Sequence, residues 1–181
     1  MDLEIEQEGV GQVEFLLEIP ENLKRFLVLD TVTVCIRGKG FVALMQEFRD
    51  EQFSAWYSIF DIFQGPVILK ARGAIAVLEL RTALRNTIEG TWEMQPIGSL
   101  EENHFQMGFT PHVATRAVFP VPGIYETFDI HFTLRFLESL GIDYGMLARC
   151  SEKVQRDYPA ELTRHSFECT PLMRDCIHRI L

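Results

Sequence analysis

The stretch Ile124-Tyr-Glu-Thr-Phe-Asp-Ile-His-Phe-Thr-Leu-Arg-Phe-Leu-Glu138 joins two periodicities, and the junction decides the fold class. Ile124, Phe128, Ile130 and Phe132 share one parity, and Tyr125, Thr127, Asp129 and His131 share the other. A period of two is the signature of a strand with one buried face, and the apolar row is the expected core row. At Thr133 the period changes. Leu134, Leu137 and Leu140 recur at helical spacing, with Thr133 placed to cap the helix and Gly141 placed to stop it. A β-region therefore ends near residue 132 and runs directly into a helix.

Working back from that junction, β-type segments dominate. They are Thr31–Arg37, Phe41–Arg49, Phe53–Gln64, Val67–Arg72, Ala74–Arg85, Thr87–Met94, His104–Thr110, Thr115–Val121 and Tyr125–Phe132. Turn residues separate them: Gly38-Lys-Gly40, Gln64-Gly-Pro66, Arg72-Gly73, Pro96-Ile-Gly98, Pro111 and Pro122-Gly123. Short strands with frequent turns indicate a sandwich or barrel, and the absence of a long helical pattern before residue 133 argues against a parallel α/β fold. Within residues 1–30 only Val13 to Ile19 reads as a strand, ended by Pro20.

Forward of the junction the pattern is helical. Asp143–Tyr158, ended by Pro159, carries Leu147, Cys150 and Val154 on one stripe. Thr170-Pro171 is a cap followed by proline at the first helical position, opening a helix over 171–181. Its stripe is Met173, Cys176, Ile177 and Ile180. The last residues, Ile177-His-Arg-Ile-Leu181, are apolar and uncapped, which suggests a chain cut inside a longer protein. The expected layout is a β-barrel or sandwich over residues 1–132 and a helical appendage over 133–181.

Composition narrows the function. Of 181 residues, 47% are apolar, enough for a core, and the net charge is -9. Residues 135–181 hold seven basic and seven acidic side chains, so the whole excess lies in residues 1–134, with 10 basic and 19 acidic. Nucleic-acid binding needs clustered Lys and Arg against phosphates, and no such cluster exists. Cys35, Cys150, Cys169 and Cys176 form no C-x-x-C pair and are read as buried reduced thiols. The acidic N-terminus lacks the basic region of a signal peptide, and no apolar run reaches the ~18 residues of a membrane span. The chain reads as cytosolic, with a cytoplasmic setting and no membrane partner.

The wording of several segments carries a resemblance. Tyr125-x-Thr127-Phe128-Asp129-Ile130-His131-Phe132, followed by an amphipathic helix, resembles the end of the cupin-like sensor domain of bacterial AraC/XylS-type transcriptional regulators. Ala55–Asp61 is similar to an early strand of that barrel, and Glu102–Pro111 to a strand closing in a proline turn. Thr170–Leu181 resembles the helix leading to the dimerisation helix and linker. The resemblance covers residues 40–181 and is specific in the last 60. It implies an antiparallel cupin-like barrel that senses a small-molecule effector and controls transcription. It further implies a homodimer in the full-length protein, with Met173, Ile177 and Ile180 as candidates for its interface. DNA contact would be made only through a C-terminal domain of two helix-turn-helix units that is missing here.

Catalytic chemistry finds little support. Cupin enzymes hold a metal with a His-x-His pair, a carboxylate and a later histidine. The histidines here are His104, His112, His131, His165 and His178, and none forms that pair. His104 and His112 are separated by the Pro111 turn, and His131 lies on another strand, on the parity opposite the core row. No nucleophile elbow is present, and Gly38-Lys-Gly40 is too short to cradle a phosphate. No catalytic residue, metal or cofactor is expected.

A ligand pocket remains. A small barrel can enclose one ligand behind aromatic walls with a few inward polar groups. Trp56, Tyr57, Glu79, Arg81, Trp92 and His131 are the candidates, as aromatic plates beside hydrogen-bonding side chains. They permit a sugar, a polyol or a small aromatic acid. The expected function is a small-molecule-sensing regulatory domain and not an enzyme. The rivals are a cupin-fold metal-dependent isomerase or dioxygenase and a free-standing carrier.

Overall fold

The computed structural model describes residues 4–74, 76–92, 95–139, 152–153, 156, 158–163 and 165–181. Two antiparallel sheets face each other as a sandwich, with a short helix at the C-terminal end. The smaller sheet runs in the order β10 (Gln95–Leu100), β9 (Ile88–Trp92), β12 (Val113–Phe119), β7 (Val67–Gly73), β1 (Glu4–Gln7) and β2 (Gly11–Gln12). The larger sheet runs β14 (Ala160–Glu161), β11 (His104–Thr110), β8 (Val77–Arg85), β13 (Gly123–Phe132), β6 (Phe53–Ile62), β5 (Phe41–Arg49), β4 (Val32–Gly38) and β3 (Glu14–Leu16). A ninth strand, β15 (Phe167–Glu168), also pairs with β11.

The expected strands form, several with the same ends. Lys39-Gly40 turns β4 into β5, with Gly40 at φ +82°, a conformation glycine adopts without a Cβ clash. The Gly40 carbonyl accepts from the amides of Phe63 and Gln64 at 2.9 and 3.0 Å, which ties this turn to the end of β6. Tyr125 secures the turn before β13: its hydroxyl donates to the Val121 carbonyl at 2.8 Å and accepts from the Val121 amide at 3.3 Å. Three segments differ from expectation. Pro96-Ile-Gly98 is not a turn but part of β10, which tolerates the proline because it is an edge strand with a register shift at that point. The N-terminus adds β1 and β2 to the small sheet, and β8 starts at Val77 rather than Ala74.

The larger sheet is covered on both faces. Between the sheets, Ile36, Phe41, Ala43, Ile62 and Tyr125 meet Ile5, Val67, Leu69 and Phe119 of the smaller sheet. On the outer face, Val42, Leu44, Ala55, Tyr57, Ile59 and Phe128 pack with Leu23 and Ile177. Leu23 lies in a 3-10 helix, Glu21–Phe26. Gln46 of β5 is fully buried and pins the end of that helix: its Oε1 accepts from the Val28 amide at 2.8 Å and its Nε2 donates to the Phe26 carbonyl at 3.0 Å.

The junction at Thr133 behaves as the sequence indicates. Helix α1 spans Leu134–Ser139, and the Thr133 hydroxyl accepts from the Phe136 amide at 3.1 Å. Phe136 stacks on Phe132 with ring centroids 5.6 Å apart. Helix α2 spans Pro171–Ile180, capped by Thr170, whose hydroxyl accepts from the Met173 amide at 3.2 Å. The helix expected over 143–158, with Leu147, Cys150 and Val154, lies outside the described residues, as do Leu140 and Gly141. Beyond residue 133 the chain is not helical throughout, because β14 and β15 return to the edge of the larger sheet against β11. Cys35 and Cys169 are buried free thiols as expected, but Cys176 is exposed, since α2 turns Ile177 rather than Cys176 into the core.

One expectation holds only in part. In β13 the apolar row Phe128 and Ile130 packs on the outer face with the 3-10 helix and α2. The polar row Thr127, Asp129 and His131 points between the sheets. The period of two is right, but the polar parity is not solvated. It lines an internal cavity, and the outer apolar row is buried by elements from the two ends of the chain.

Candidate functional site

Three adjacent strands place the polar row. Asp129 stands in register with Trp56 of β6 on one side and Arg81 of β8 on the other. His131 stands between Ser54 and Glu79, and Thr127 beside Ser58. Alternate residues share a face, so Trp56 and Ser58, Glu79 and Arg81, and Thr127, Asp129 and His131 all project to the same side. They line a cavity of about 220 Å³ between the sheets. Its remaining walls are largely apolar, with Met45, Phe60, Leu69 and Phe119 prominent among them.

The charged groups form one connected cluster. Glu79 Oε1 lies 3.4 Å from His131 Nε2, and Glu79 Oε2 lies 3.5 Å from Arg81 Nη2. Asp129 accepts from the Thr82 amide at 3.3 Å and from the Thr127 hydroxyl at 3.2 Å. The imidazole of His131 lies beside the Trp56 indole, with ring centroids 6.4 Å apart. The two contacts of Glu79 with its basic neighbours are long for charge-assisted bonds, which favour about 2.7–2.9 Å.

Burial and neighbouring charge set the protonation states. Burial alone would raise the Glu79 carboxyl, but the Arg81 and His131 charges beside it outweigh burial and hold it down to about 2. Burial, followed by repulsion from Glu79, pushes the Asp129 carboxyl up to about 7, against the opposing pull of Arg81 and His131. Burial opposes the charged form of His131, but its hydrogen bond to Glu79 and the nearby carboxylates raise its pKa. Two carboxyl groups in one site thus have pKa values driven far apart, a recurring mark of functional sites.

The sequence candidates separate cleanly. Trp56, Glu79, Arg81 and His131 come together at the cavity. Tyr57 faces the opposite side of the sheet, where its hydroxyl donates to Glu126 Oε2 at 2.8 Å. The backbone of Trp92 lies in β9 and pairs with Thr115, while its side chain is outside those described. Asp129 is the residue that sequence reasoning missed. It shares a strand parity with His131, and that spacing was the signal available. Among the described residues, the buried side-chain polar atoms without a hydrogen-bond partner are the Trp56 indole Nε1 and the Thr82 hydroxyl. No three of the described His, Cys, Asp and Glu residues are arranged to hold a metal ion. No helix among them is long and apolar enough to cross a membrane.

On α2, Ile177 is buried against the outer face of the large sheet, Met173 is half-buried and Ile180 is 47% exposed. The stripe expected to serve self-association is therefore divided. One member docks the helix on its own chain, and another remains at the surface.

No protein-family model matches this chain, and no curated protein matches it. Among solved structures, the crystal structure of the AraC-like transcriptional activator CuxR aligns with it at a TM-score of 0.40 and 7% sequence identity. The alignment covers 79% of this chain and 50% of that chain, so the chain matches about half the length of that activator. Identity this low transfers no residue role from one chain to the other.

Proposed function

We propose that this chain is a small-molecule-sensing regulatory domain that binds its effector in the cavity between the two sheets. Residues 1–132 form the ligand-binding region, and residues 133–181 form an appendage serving self-association and linkage. The observation carrying this reading is the inward polar row of the central strands. A fold with no use for a cavity gains stability by filling it with apolar side chains, because a buried ion pair rarely outperforms well-packed hydrophobic groups. Here Glu79, Arg81, Asp129 and His131 instead converge on unfilled space bounded by apolar walls. A few placed polar groups on an apolar lining is the usual make-up of a ligand site.

The sensing role is placed in an AraC-type regulator, in which a DNA-binding domain of helix-turn-helix units would be a separate part of the protein. Met173 and Ile180 of α2 would contribute to a homodimer interface, with Ile177 holding the helix in place. The reading assigns no catalytic step to the cavity.

The test is occupancy. A library of small polar and amphiphilic compounds is screened for thermal stabilisation of the chain and of an Ala117→Leu variant, in which the cavity is narrowed. Ligands that raise the Tm of the parent and not of the variant support the reading. A chain that no such compound stabilises, or one stabilised equally in both forms, refutes it.

A further inference from the structure

We propose that the cavity takes an uncharged amphiphile, a compact apolar body with a single polar edge that carries both a hydrogen-bond donor and an acceptor, as a primary amide does. The polar edge meets Glu79, Arg81, Asp129 and His131, and the body lies towards Phe60 and Phe119. The inference rests on the reading of the cavity as a ligand site and names the class of ligand that fits it.

Size and walls set the body. A cavity of ~150 Å³ takes benzene, so the ~220 Å³ here suits an occupant of about nine or ten non-hydrogen atoms. Along β13 and β6 the inward row changes character: Tyr125 is paired with Phe60 at one end, whereas Asp129 is paired with Trp56 and His131 with Ser54 at the other. Phe60 packs on Phe119 with ring centroids 4.7 Å apart, in the apolar core between the sheets. An amphiphile satisfies both ends, while a molecule that is polar all round would set unpaired hydroxyls against Phe60 and Phe119.

The placement of acids and bases sets the polar edge. Across the β8–β13 ladder Glu79 stands opposite His131, and Arg81 opposite Asp129. Along each strand the two kinds alternate as well, Glu79 then Arg81 on β8 and Asp129 then His131 on β13. The four side chains form a checkerboard. Each acid has a base beside it along the strand and across the ladder, and like meets like only on the diagonals, about 7–8 Å apart. The contacts follow the pattern: Glu79 lies 3.4 Å from His131 and 3.5 Å from Arg81. An ion placed on this surface finds an acid and a base on adjacent squares. The attraction of one is offset by the repulsion of the other, and little remains against the cost of its desolvation. An uncharged edge with a donor beside an acceptor fits two adjacent squares at once, its donor on a carboxyl oxygen and its acceptor on the guanidinium. Glu89 of β9 also borders the cavity, but it is exposed and lies on the parity opposite Ile88 and Gly90, so its carboxylate stands outside the pattern.

The experiment sets several heads on one body. The unmodified chain is titrated by calorimetry with phenylacetamide, phenylacetate, phenethylamine and phenylacetone, and with glucose as a molecule polar all round. Phenylacetone keeps the carbonyl and the size of the amide and lacks its N–H donors. Phenylacetamide should bind at least tenfold tighter than each of the others, and Ala117→Leu should abolish that binding. Breaking the checkerboard should create a preference for charge. Glu79→Gln, which removes an acid, should raise the affinity of phenylacetate relative to the amide tenfold or more, and Arg81→Met should do the same for phenethylamine. Folded variants that leave the order of the heads unchanged overturn the inference. Should a variant fail to fold, the comparison of heads on the unmodified chain still decides. Acid, amine, ketone or sugar binding as tightly as the amide, and lost in Ala117→Leu, overturns the ligand class and leaves the cavity reading standing. Binding by none of the probes, or binding undiminished in Ala117→Leu, overturns the cavity reading and this inference with it.

Discussion

His131 and Glu79 are directly opposed across the β13–β8 ladder, and their side chains meet at 3.4 Å. Cross-strand pairing fixes this contact, because opposed residues on one face of an antiparallel pair lie about 4.5–5.5 Å apart at Cβ. Glu79 also reaches Arg81, so a single carboxylate holds two basic groups. Glu79→Gln should therefore cost roughly 3–5 kcal/mol, the range for removing one partner of a buried ion pair. Urea denaturation measures it. The same change should lower the pKa of Asp129, whose carboxyl Glu79 repels, and carbon NMR of the Asp129 carboxyl reads that directly.

Asp129 gives a pH dependence of defined sign. Its carboxyl is raised on folding from an ordinary 3.8 to about 7, so the folded chain binds more protons than the unfolded chain between those values. Stability should then fall as pH rises from about 4 to about 7, by a few kcal/mol at most. His131, whose pKa is also raised, acts in the same direction, with its contribution present at low pH and lost as pH rises through the folded value. In Asp129→Asn the Asp129 part of this slope should vanish. Denaturation midpoints at pH 5 and pH 8 for the two proteins check it, and an equal drop in both would contradict the assignment.

Burial of α2 distinguishes its two isoleucines. Ile177→Ala should cost ~2–5 kcal/mol, the range for a large buried aliphatic, because Ile177 packs with Leu23 and Phe128. Ile180→Ala should change stability by about 0.5 kcal/mol or less, since Ile180 is largely exposed. If α2 contributes to a dimer, Ile180→Asp should weaken association in analytical ultracentrifugation with little change in the monomer's Tm. Equal dimerisation of parent and variant would place the interface elsewhere.

Gln46 supports the outer layer through two backbone contacts. Gln46→Ala leaves the Val28 amide and the Phe26 carbonyl without their partner, at a cost of ~1–3 kcal/mol for each group kept from water. Hydrogen exchange should accelerate at Val28 before it does in the central strands. Unchanged protection at Val28 would mean that the 3-10 helix is held by packing around Leu23 alone.

Much of this architecture could be read from the residues. Strand ends at Phe41–Arg49 and His104–Thr110, the change of period at Thr133 and the cap at Thr170 are local properties, and local chemistry dictates them. The strands at the two ends of the chain were not legible, because β1, β2, β14 and β15 are two to four residues long and gain their form from the partners they pair with. The enclosure of the polar face of β13 was not legible for a related reason. Alternation tells which residues share a side, but not what covers each side. Leu23 and Ile177, more than 150 residues apart, cover the apolar row, so the polar row could turn inward. Four of the six candidate ligand residues meet at the cavity because they lie on adjacent strands in register, whereas Tyr57, next to Trp56, is sent to the opposite face by the same alternation.

That alternation makes the large sheet a thin partition between two compartments. Asp129 borders the cavity, and its neighbour Phe128 sits among the residues that seat α2. One peptide unit, 3.8 Å from Cα to Cα, separates the two sides. A molecule that touches Asp129 from within thus lies one peptide unit from a residue of the cluster on which the C-terminal helix rests. The inner and outer cores of the molecule share that single layer of backbone.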